Sequence, residues 1–165
     1  MKEHYSFMIE ISESYKVHIV ILTWNNNKIL KRCLESIENV DHKNFTISVI
    51  DNNSSDDSLS MISENFPNVQ TIKNSKNFKF GRGYNEGLKK INVEDNDFII
   101  LLNDDTIVSR NFIDELINPL AKDQKAIIST PKILYSSNIN KIWYAGGVVD
   151  LSLIHISEPT RPLDI

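Results

Sequence analysis

The chain has 165 residues, of which 41% are hydrophobic and 24% are charged, and its formal net charge is −4. These values are typical of one globular domain with its own core. The mild acidity argues against a nucleic-acid groove, which needs a basic face. The only cysteine, Cys33, excludes an internal disulfide and a cysteine-cluster metal site, and it fits a reducing, cytoplasmic compartment.

The first sixteen residues form a polar stretch with one apolar patch, Phe7–Ile9. This stretch lacks the continuous apolar segment of a signal peptide. No run in the chain approaches the ~18 apolar residues of a membrane helix. We therefore expect residues 1–16 to be a short leader or an added edge element.

The first predicted strand is Val17–Thr23, an apolar and β-branched run that indicates burial on both faces of a parallel sheet. Asn25–Asn27 follows as a capping cluster. A helix is predicted over 27–39, because apolar residues recur there at helical spacing: Leu30, Cys33, Leu34 and Ile37.

A second strand is predicted over 45–50, and it ends at Asp51. The turn residues 52–58 can cap a helix over roughly 56–64. A short third strand over 69–73 follows Pro67, which stops this helix.

The carboxyl-terminal half continues the alternation. A loop over 74–83 precedes a short helix marked by Tyr84, and 97–102 is another apolar strand. The spacing of Phe112, Leu116, Ile117 and Leu120 predicts a helix up to the Ala121 region, with an early end at Pro119 as the alternative. Strands that alternate with helices indicate an α/β fold with a mainly parallel sheet flanked by helices. The later strands predicted are 125–130 and 142–149.

The last fifteen residues look foreign to the rest. Leu151–Arg161 resembles the translation of a transposase adapter used in sequencing libraries. We therefore predict that 151–165 is a sequencing-adapter artefact and that the natural chain continues beyond Asp150. The alternative is a natural strand over 151–156 with a proline-rich end.

Polar residues collect at the ends of three predicted strands, in Thr23–Asn25, Asp51–Asn53 and Asn103–Asp105. In open α/β sheets, ligands bind outside the carboxyl ends of the strands. The three clusters are therefore expected to converge on one crevice. The alternative is that turns between strands and helices are polar in any protein.

Two of these clusters carry specific chemistry. The carboxylate of Asp51 can accept a hydrogen bond from a ribose hydroxyl or from the imide N–H of uracil or thymine, unless it only caps the next turn. The adjacent acids Asp104 and Asp105 suit a divalent cation that shares phosphate oxygens with its substrate. Their alternative role is to cap the helix that follows Thr106.

The segment Gly81–Gly87 precedes a predicted helix, and its glycines would let the backbone approach a phosphate. Arg82 can grip a diphosphate or be solvated. The spacing G-x-G-x-x-x-G matches neither a dinucleotide fingerprint nor a Walker loop. No histidine is placed beside a serine in the manner of a nucleophile triad.

Four segments in order resemble glycosyltransferase family 2, whose catalytic domain has the GT-A fold. They are Ile19–Asn25, Val49–Ser58, Asn77–Gly87 and Leu101–Thr106. In the family the fourth segment holds the metal-binding D-x-D element. The resemblance runs from about Val17 to Asp150 and implies the nucleotide-sugar-binding part of a GT-A domain, truncated before the acceptor-binding half.

The resemblance implies an inverting transfer from a UDP-sugar or dTDP-rhamnose to a hydroxyl of a glycan or lipid-linked acceptor. The rhamnosyltransferase-like branch, which builds bacterial surface polysaccharides, is implied most specifically. A divalent cation, Mg²⁺ or Mn²⁺, would lie at Asp105 and Asn103. The residues implied in nucleotide-sugar binding are Thr23, Trp24, Asn25, Asp51, Asn53, Gly83, Asn85 and Asp104.

Two residues depart from the family pattern: Asn103 replaces the first acid of D-x-D, and Lys79 stands where the loop often has glycine. The family's catalytic base is an acid in the later half, so we name none and expect the chain alone to bind nucleotide weakly and transfer nothing. Peripheral membrane association at the inner face of the membrane is expected through the missing part. The alternative is a non-catalytic nucleotide-binding or assembly module of the same fold. A nucleotidyltransferase is disfavoured because Thr23–Asn27 has no glycine.

Overall fold

The computed structural model describes residues 15–123, 125–150 and 155–157, without the side chains of 148–150 and 155–157. The chain divides into two compact units, residues 1–114 and 115–165. The predictions for residues 1–14, 151–154 and 158–165 lie outside the described residues.

The first unit alternates strands and helices as the sequence predicts. Its elements are β1 Val17–Thr23, α1 Asn27–Ile37, β2 Phe45–Asp51, α2 Ser58–Asn65, β3 Gln70–Lys73, α3 Phe80–Leu88 and β4 Phe98–Asn103. A further helix, α4 Phe112–Lys122, crosses the boundary between the units.

The four strands of the first unit form one parallel sheet in the order β3-β2-β1-β4. The register pairs Thr23 with Asp51 and Leu22 with Asn103. The carboxyl ends of β1, β2 and β4 therefore lie at one edge, as the polar clusters predict. The α/β fold with a parallel sheet is confirmed.

One core cluster lies where α3 packs on the sheet. It is made by Val20, Ile50, Ile72 and Tyr84, with Leu22, Leu88 and Ile91 packed against it. Glycine allows this close approach, since a Cβ on Gly87 would collide with the side chain of Ile50. The predicted apolar face of α1 is confirmed as fully buried: Leu30, Cys33, Leu34 and Ile37.

At the opposite end of the sheet, a buried histidine joins the starts of three strands. His18 Nε2 lies 2.8 Å from Asp97 Oδ2, and His18 Nδ1 lies 3.0 Å from Thr46 Oγ1. The amide of Glu94 and the His18 ring hold the pKa of Asp97 below its usual value. This contact ties the amino ends of β1, β2 and β4 together.

One predicted helix boundary is wrong, and the predicted extent of a second helix is confirmed. The helix α3 begins at Phe80, so Gly81 and Gly83 lie inside a helix and not in the loop before it. The helix α4 continues through Pro119 to Lys122, although a proline in a helix costs about 3 kcal/mol. Ile113 and Ile117 are almost fully buried, and burial of this face outweighs the local preference to stop.

The second unit contains short antiparallel pairs. The strands β5 Ile133–Tyr135 and β6 Asn138–Tyr144 pair with each other, as do β7 Val148–Asp150 and β8 His155–Ser157.

Both strand predictions in this unit need correction. Residues 125–130 form no strand, and Ile127 and Ile128 are 86% and 81% exposed. A β-branched run becomes a strand only where another strand completes its hydrogen bonds. The predicted strand 142–149 is interrupted at 145–147, where Gly146 has a left-handed φ of 108°.

Candidate functional site

A crevice of about 570 Å³ opens at the carboxyl ends of β1 and β4. It brings together five of the predicted site residues: Thr23, Trp24, Asn103, Asp104 and Asp105. The other residues that line it are Leu22, Asn26, Asn52, Asn77, Lys79 and Phe80. The first and third polar clusters therefore converge on one crevice as predicted, and the second cluster contributes Asn52.

A hydrogen bond crosses one end of the crevice between the two strands. Thr23 Oγ1 donates to Asp104 Oδ2 at 2.7 Å. Asp105 is exposed and makes no hydrogen bond or ion pair with the residues described, so its carboxylate faces solvent. One acid is thus held in place, and its neighbour is open to a ligand.

These residues fit the cation that the family resemblance implies. Asn103, Asp104 and Asp105 supply hard oxygen donors, and Mg²⁺ typically takes one or two carboxylates together with substrate phosphates. Within the described ranges, no cluster of three or more His, Cys, Asp or Glu side chains is arranged to hold a metal ion. The donor set suits an ion whose remaining positions are filled by diphosphate oxygens and water.

Asp51 lies level with Thr23 but beneath the surface, where it is fully buried. Its Oδ1 accepts a hydrogen bond from the Ser54 amide at 3.0 Å, which confirms that it caps the turn after β2. Its Oδ2 has no partner among the described residues. An unsatisfied buried acceptor costs about 1–3 kcal/mol, so an N–H from a ligand would be stabilising there.

The loops that follow β1 and β2 are joined to each other by hydrogen bonds near Asp51. The Asn25 amide donates to Ser54 Oγ at 2.9 Å, and the Ser55 amide donates to Asn25 Oδ1 at 2.7 Å. Asn25 has a φ of 51°, in the left-handed region. The Asn25 side chain therefore holds the loop and does not line the crevice.

The amino end of α1 is capped from the neighbouring loop and not by the asparagine cluster. Asn26 makes no side-chain cap, whereas Asp56 Oδ2 accepts from the Asn27 amide at 3.1 Å. Burial raises the pKa of Asp56, but hydrogen bonds from Ser58 and Asn27 lower it more, so the net shift is downward. The predicted capping role of Asn25–Asn27 is wrong because a carboxylate from another segment takes it.

Sequence reasoning missed an asparagine network that shapes another wall of the crevice. Asn74 Nδ2 donates to Asn52 Oδ1 at 3.1 Å, and Asn52 Nδ2 donates to Asn77 Oδ1 at 2.9 Å. Asn52 Nδ2 also donates to the Lys79 carbonyl at 3.1 Å. The available signal was an asparagine directly after β2 and another directly after β3.

This network holds Lys79 in a strained conformation. Lys79 has φ 66° and ψ −169°, a region that is almost restricted to glycine. The departure from the family's glycine noted in the sequence therefore falls at a position whose backbone favours glycine. The Lys79 carbonyl also accepts from the Gly83 amide at 3.0 Å, so the strained residue starts α3.

The remaining predicted residues lie outside the crevice. Asn53 borders a separate cavity of about 540 Å³ next to Lys73 and Lys90. Gly83 is buried, and a Cβ on it would lie 3.1 Å from side-chain atoms of Leu22 and Asn52. Asn85 is exposed on α3 and borders neither cavity.

Arg82 and the glycines around it do not form a phosphate loop. Gly81 and Gly83 lie within α3, where Gly83 serves close packing against the sheet. The Arg82 guanidinium lies over the Phe78 ring at 4.7 Å and 3.9 Å from Glu86 Oε1 on the helix surface. Arg82 therefore lies on the solvent-exposed surface, which agrees with the alternative that its side chain is solvated.

A parallel sheet with a polar crevice at its carboxyl edge defines a ligand-binding α/β protein. Residues 18–162 match the family model described as glycosyl transferase family 2, and the chain belongs to this family. The match extends into 151–165, whose origin as an adapter stays a prediction.

A curated relative agrees with this assignment. It is the dolichyl N-acetyl-alpha-D-glucosaminyl phosphate 3-beta-D-2,3-diacetamido-2,3-dideoxy-beta-D-glucuronosyltransferase of Methanococcus voltae, which is 27% identical over 159 residues. That alignment covers 78% of this chain and 48% of the relative. The chain therefore spans about half of the length of this curated relative.

Solved structures confirm the GT-A fold. The structure of residues 1–349 of Staphylococcus aureus TarS with UDP-GlcNAc aligns with a TM-score of 0.57 at 20% identity, over 66% of this chain and 32% of that one. The mannosyltransferase PcManGT of Pyrobaculum calidifontis with GDP-Man and Mn²⁺ gives 0.58 at 16% identity, over 72% and 39%. Across the described part of this chain, no helix has the length and apolar character to cross a bilayer.

Proposed function

We propose that this chain is the donor-binding part of a glycosyltransferase that passes a sugar from a UDP- or dTDP-sugar to a glycan or lipid-linked acceptor with inversion. The main support is the crevice at the ends of β1 and β4 in a chain of family 2. The S. aureus structure was solved with UDP-GlcNAc, and the M. voltae relative is named for a dolichyl-linked sugar phosphate.

The base of the nucleotide lies at the β2 side in this proposal. Asp51 Oδ2 is a buried acceptor without a partner among the described residues, and the imide N–H of uracil or thymine would satisfy it. Because Asp51 is fully buried, the base reaches it only when the loops joined by Asn25 and Ser55 part. Trp24 is 53% exposed at the crevice and offers a ring face for the base.

The diphosphate lies at the β4 side. Thr23 fixes Asp104 through the 2.7 Å hydrogen bond, while Asp105 and Asn103 offer open oxygens. A divalent cation held there supplies the positive charge that stabilises a departing diphosphate. Asp105 contributes more to metal affinity than Asn103 in this proposal, since Asn103 is a neutral donor.

Finer assignments follow the family resemblance. The donor is dTDP-rhamnose or a UDP-sugar, the acceptor is a glycan or a lipid-linked sugar, and the reaction takes place at the cytoplasmic face of the membrane. The catalytic base that deprotonates the acceptor hydroxyl is expected beyond Asp150. The chain alone therefore binds donor and transfers no sugar, and transfer of label from a UDP- or dTDP-sugar by this chain would contradict that part.

Calorimetric titration of the chain with UDP and with dTDP, in Mg²⁺, tests the proposal. Asp51→Asn keeps the acceptor for the Ser54 amide but loses the charge, and a charged hydrogen bond contributes about 1.5–3 kcal/mol. We expect affinity to fall roughly tenfold to a hundredfold. Asp57→Asn is the matched control, because Asp57 is exposed in the same loop and caps α2 without a side-chain bond. Equal affinity of the Asp51 variant and the control would reduce Asp51 to a turn cap.

A further inference from the structure

The hydroxyl of Tyr84 lies between the carboxyl ends of β1 and β4. Tyr84 is 4% exposed on α3, and its hydroxyl donates to the Leu102 carbonyl at 2.8 Å. The Leu22 amide donates to the same oxygen at 3.3 Å. Leu22 and Leu102 are the last residues but one of their strands, so a side chain from a helix joins the two strand ends.

The next residues along both strands are those of the crevice. Thr23 follows Leu22 and bonds Asp104 at 2.7 Å, two residues after Leu102. Burial and the negative charge of Asp104 raise the pKa of Tyr84 to about 12. The hydroxyl therefore stays protonated at neutral pH and remains a donor to Leu102.

Packing leaves the Tyr84 ring little freedom. Phe80 meets it edge-on with ring centroids 5.2 Å apart. The preceding residue, Gly83, lies so close to Leu22 that a Cβ would come within 3.1 Å of its side chain. The position of the hydroxyl is thus set by how α3 lies on the sheet.

We infer that Tyr84 is a positioning residue that sets the spacing of Thr23 and Asp104 and so shapes the diphosphate end of the donor site. The inference rests on the proposed function. Leu22 and Asn103 are already paired in the ladder between β1 and β4, so the hydroxyl adds a link from α3 to both strand ends. Without the hydroxyl, the Leu22 amide and the Leu102 carbonyl keep only their ladder pairing and are no longer tied to the position of α3. Loss of this tie alters the spacing of the strand ends just before Thr23 and Asp104.

Tyr84→Phe tests this inference by comparing two ligands that share a base. UDP with Mg²⁺ uses both ends of the proposed site, whereas uridine uses only the base end. We expect the variant to lose roughly tenfold in affinity for Mg²⁺–UDP, a difference of about 1.4 kcal/mol, and to change by less than about twofold for uridine. Tyr15→Phe is the control, because its ring packs on Phe98 at the other end of β4, 5.1 Å between centroids.

The outcomes separate the inference from the proposed function. Equal losses for UDP and uridine would show that Tyr84 only supports the fold, and unchanged UDP affinity would also overturn the inference. If the unmodified chain binds neither ligand, the proposed function itself fails.

A second measurement does not depend on the folding of the variant. In the unmodified chain, Mg²⁺–UDP should slow hydrogen exchange at the Leu22 amide several-fold more than uridine does. The two ligands slowing it equally would contradict the inference.

Discussion

Strand β1 of the first unit and strand β6 of the second unit differ in burial, although both contain isoleucines. In the first unit, β1 is buried at every position except Leu22. In the second unit, β6 is exposed at every position except Tyr144. Isoleucine therefore lies in different environments in the two strands, as Ile19 is fully buried and Ile139 is 72% exposed. Burial depends on neighbours in the sheet and on helices over it and not on propensity alone.

The largest expected effect is the difference in stability between two isoleucine-to-alanine variants, one in each unit. Ile50 is fully buried in the α3 cluster, and Ile50→Ala should lower the free energy of unfolding by about 2–5 kcal/mol. Ile128 is 81% exposed, and Ile128→Ala should change it by no more than about 0.5 kcal/mol. Urea unfolding followed by circular dichroism measures both. Similar losses for the two variants would break the contrast between the units.

A smaller effect is expected from the backbone at Lys79. Lys79→Gly should stabilise the chain by roughly 1 kcal/mol, because relief of strain of about 1–3 kcal/mol exceeds the entropy cost of glycine. The second unit offers the reverse change, since Gly146 has φ 108° and Gly146→Ala should destabilise it. Urea midpoints check both variants. Lys79→Ala keeps the strain, so an equal gain from alanine would contradict this account.

The smallest expected effect is a pH dependence at the amino ends of the strands. Because the pKa of Asp97 is lower in the folded chain, its ionised form stabilises the fold above the ordinary value near 3.8. That contribution is lost as the pH falls through the folded value. Below about pH 4, the free energy of unfolding should therefore fall more steeply for the unmodified chain than for the Asp97→Asn variant. Asp95 is an exposed neighbour, and the Asp95→Asn variant should show the same pH dependence as the unmodified chain. Identical pH profiles for all three proteins would contradict the role of Asp97.

The fold of the first unit was predictable because buried parallel strands appear in sequence as unbroken apolar runs. Val17–Thr23 is such a run. Phe98–Asn103 is also an apolar run, although Ile99 and Leu101 are exposed. Both strands lie where they were predicted within a residue. Residues 125–130 carry a similar signal yet form no strand. A short apolar run does not say whether a neighbouring strand will complete its hydrogen bonds, so the second unit was predicted poorly.

The site was predictable where residues end a strand or follow it directly. Thr23, Trp24 and Asn103–Asp105 line the crevice because parallel strands bring their carboxyl ends to one edge. The contacts of Asn52 with Asn74 and Asn77 join segments more than twenty residues apart, which no local pattern reveals.

The glycines of α3 were interpreted from the sequence for binding, and their packing role was not foreseen. Glycines before a predicted helix indicated a close approach of the backbone to a phosphate, but the collision that a Cβ on Gly87 would have with Ile50 shows a packing requirement. That requirement exists only once α3 lies on the sheet, so no local pattern in the sequence reveals it.

The most direct test of a donor site at the ends of β1 and β4 is a crystal structure of the chain with UDP and Mn²⁺, with the metal located by its anomalous signal. The account predicts UDP in the crevice, the metal peak beside the carboxylate of Asp105, and the uracil N–H at Asp51. Bound UDP away from this crevice, or a metal peak remote from Asn103–Asp105, would contradict it.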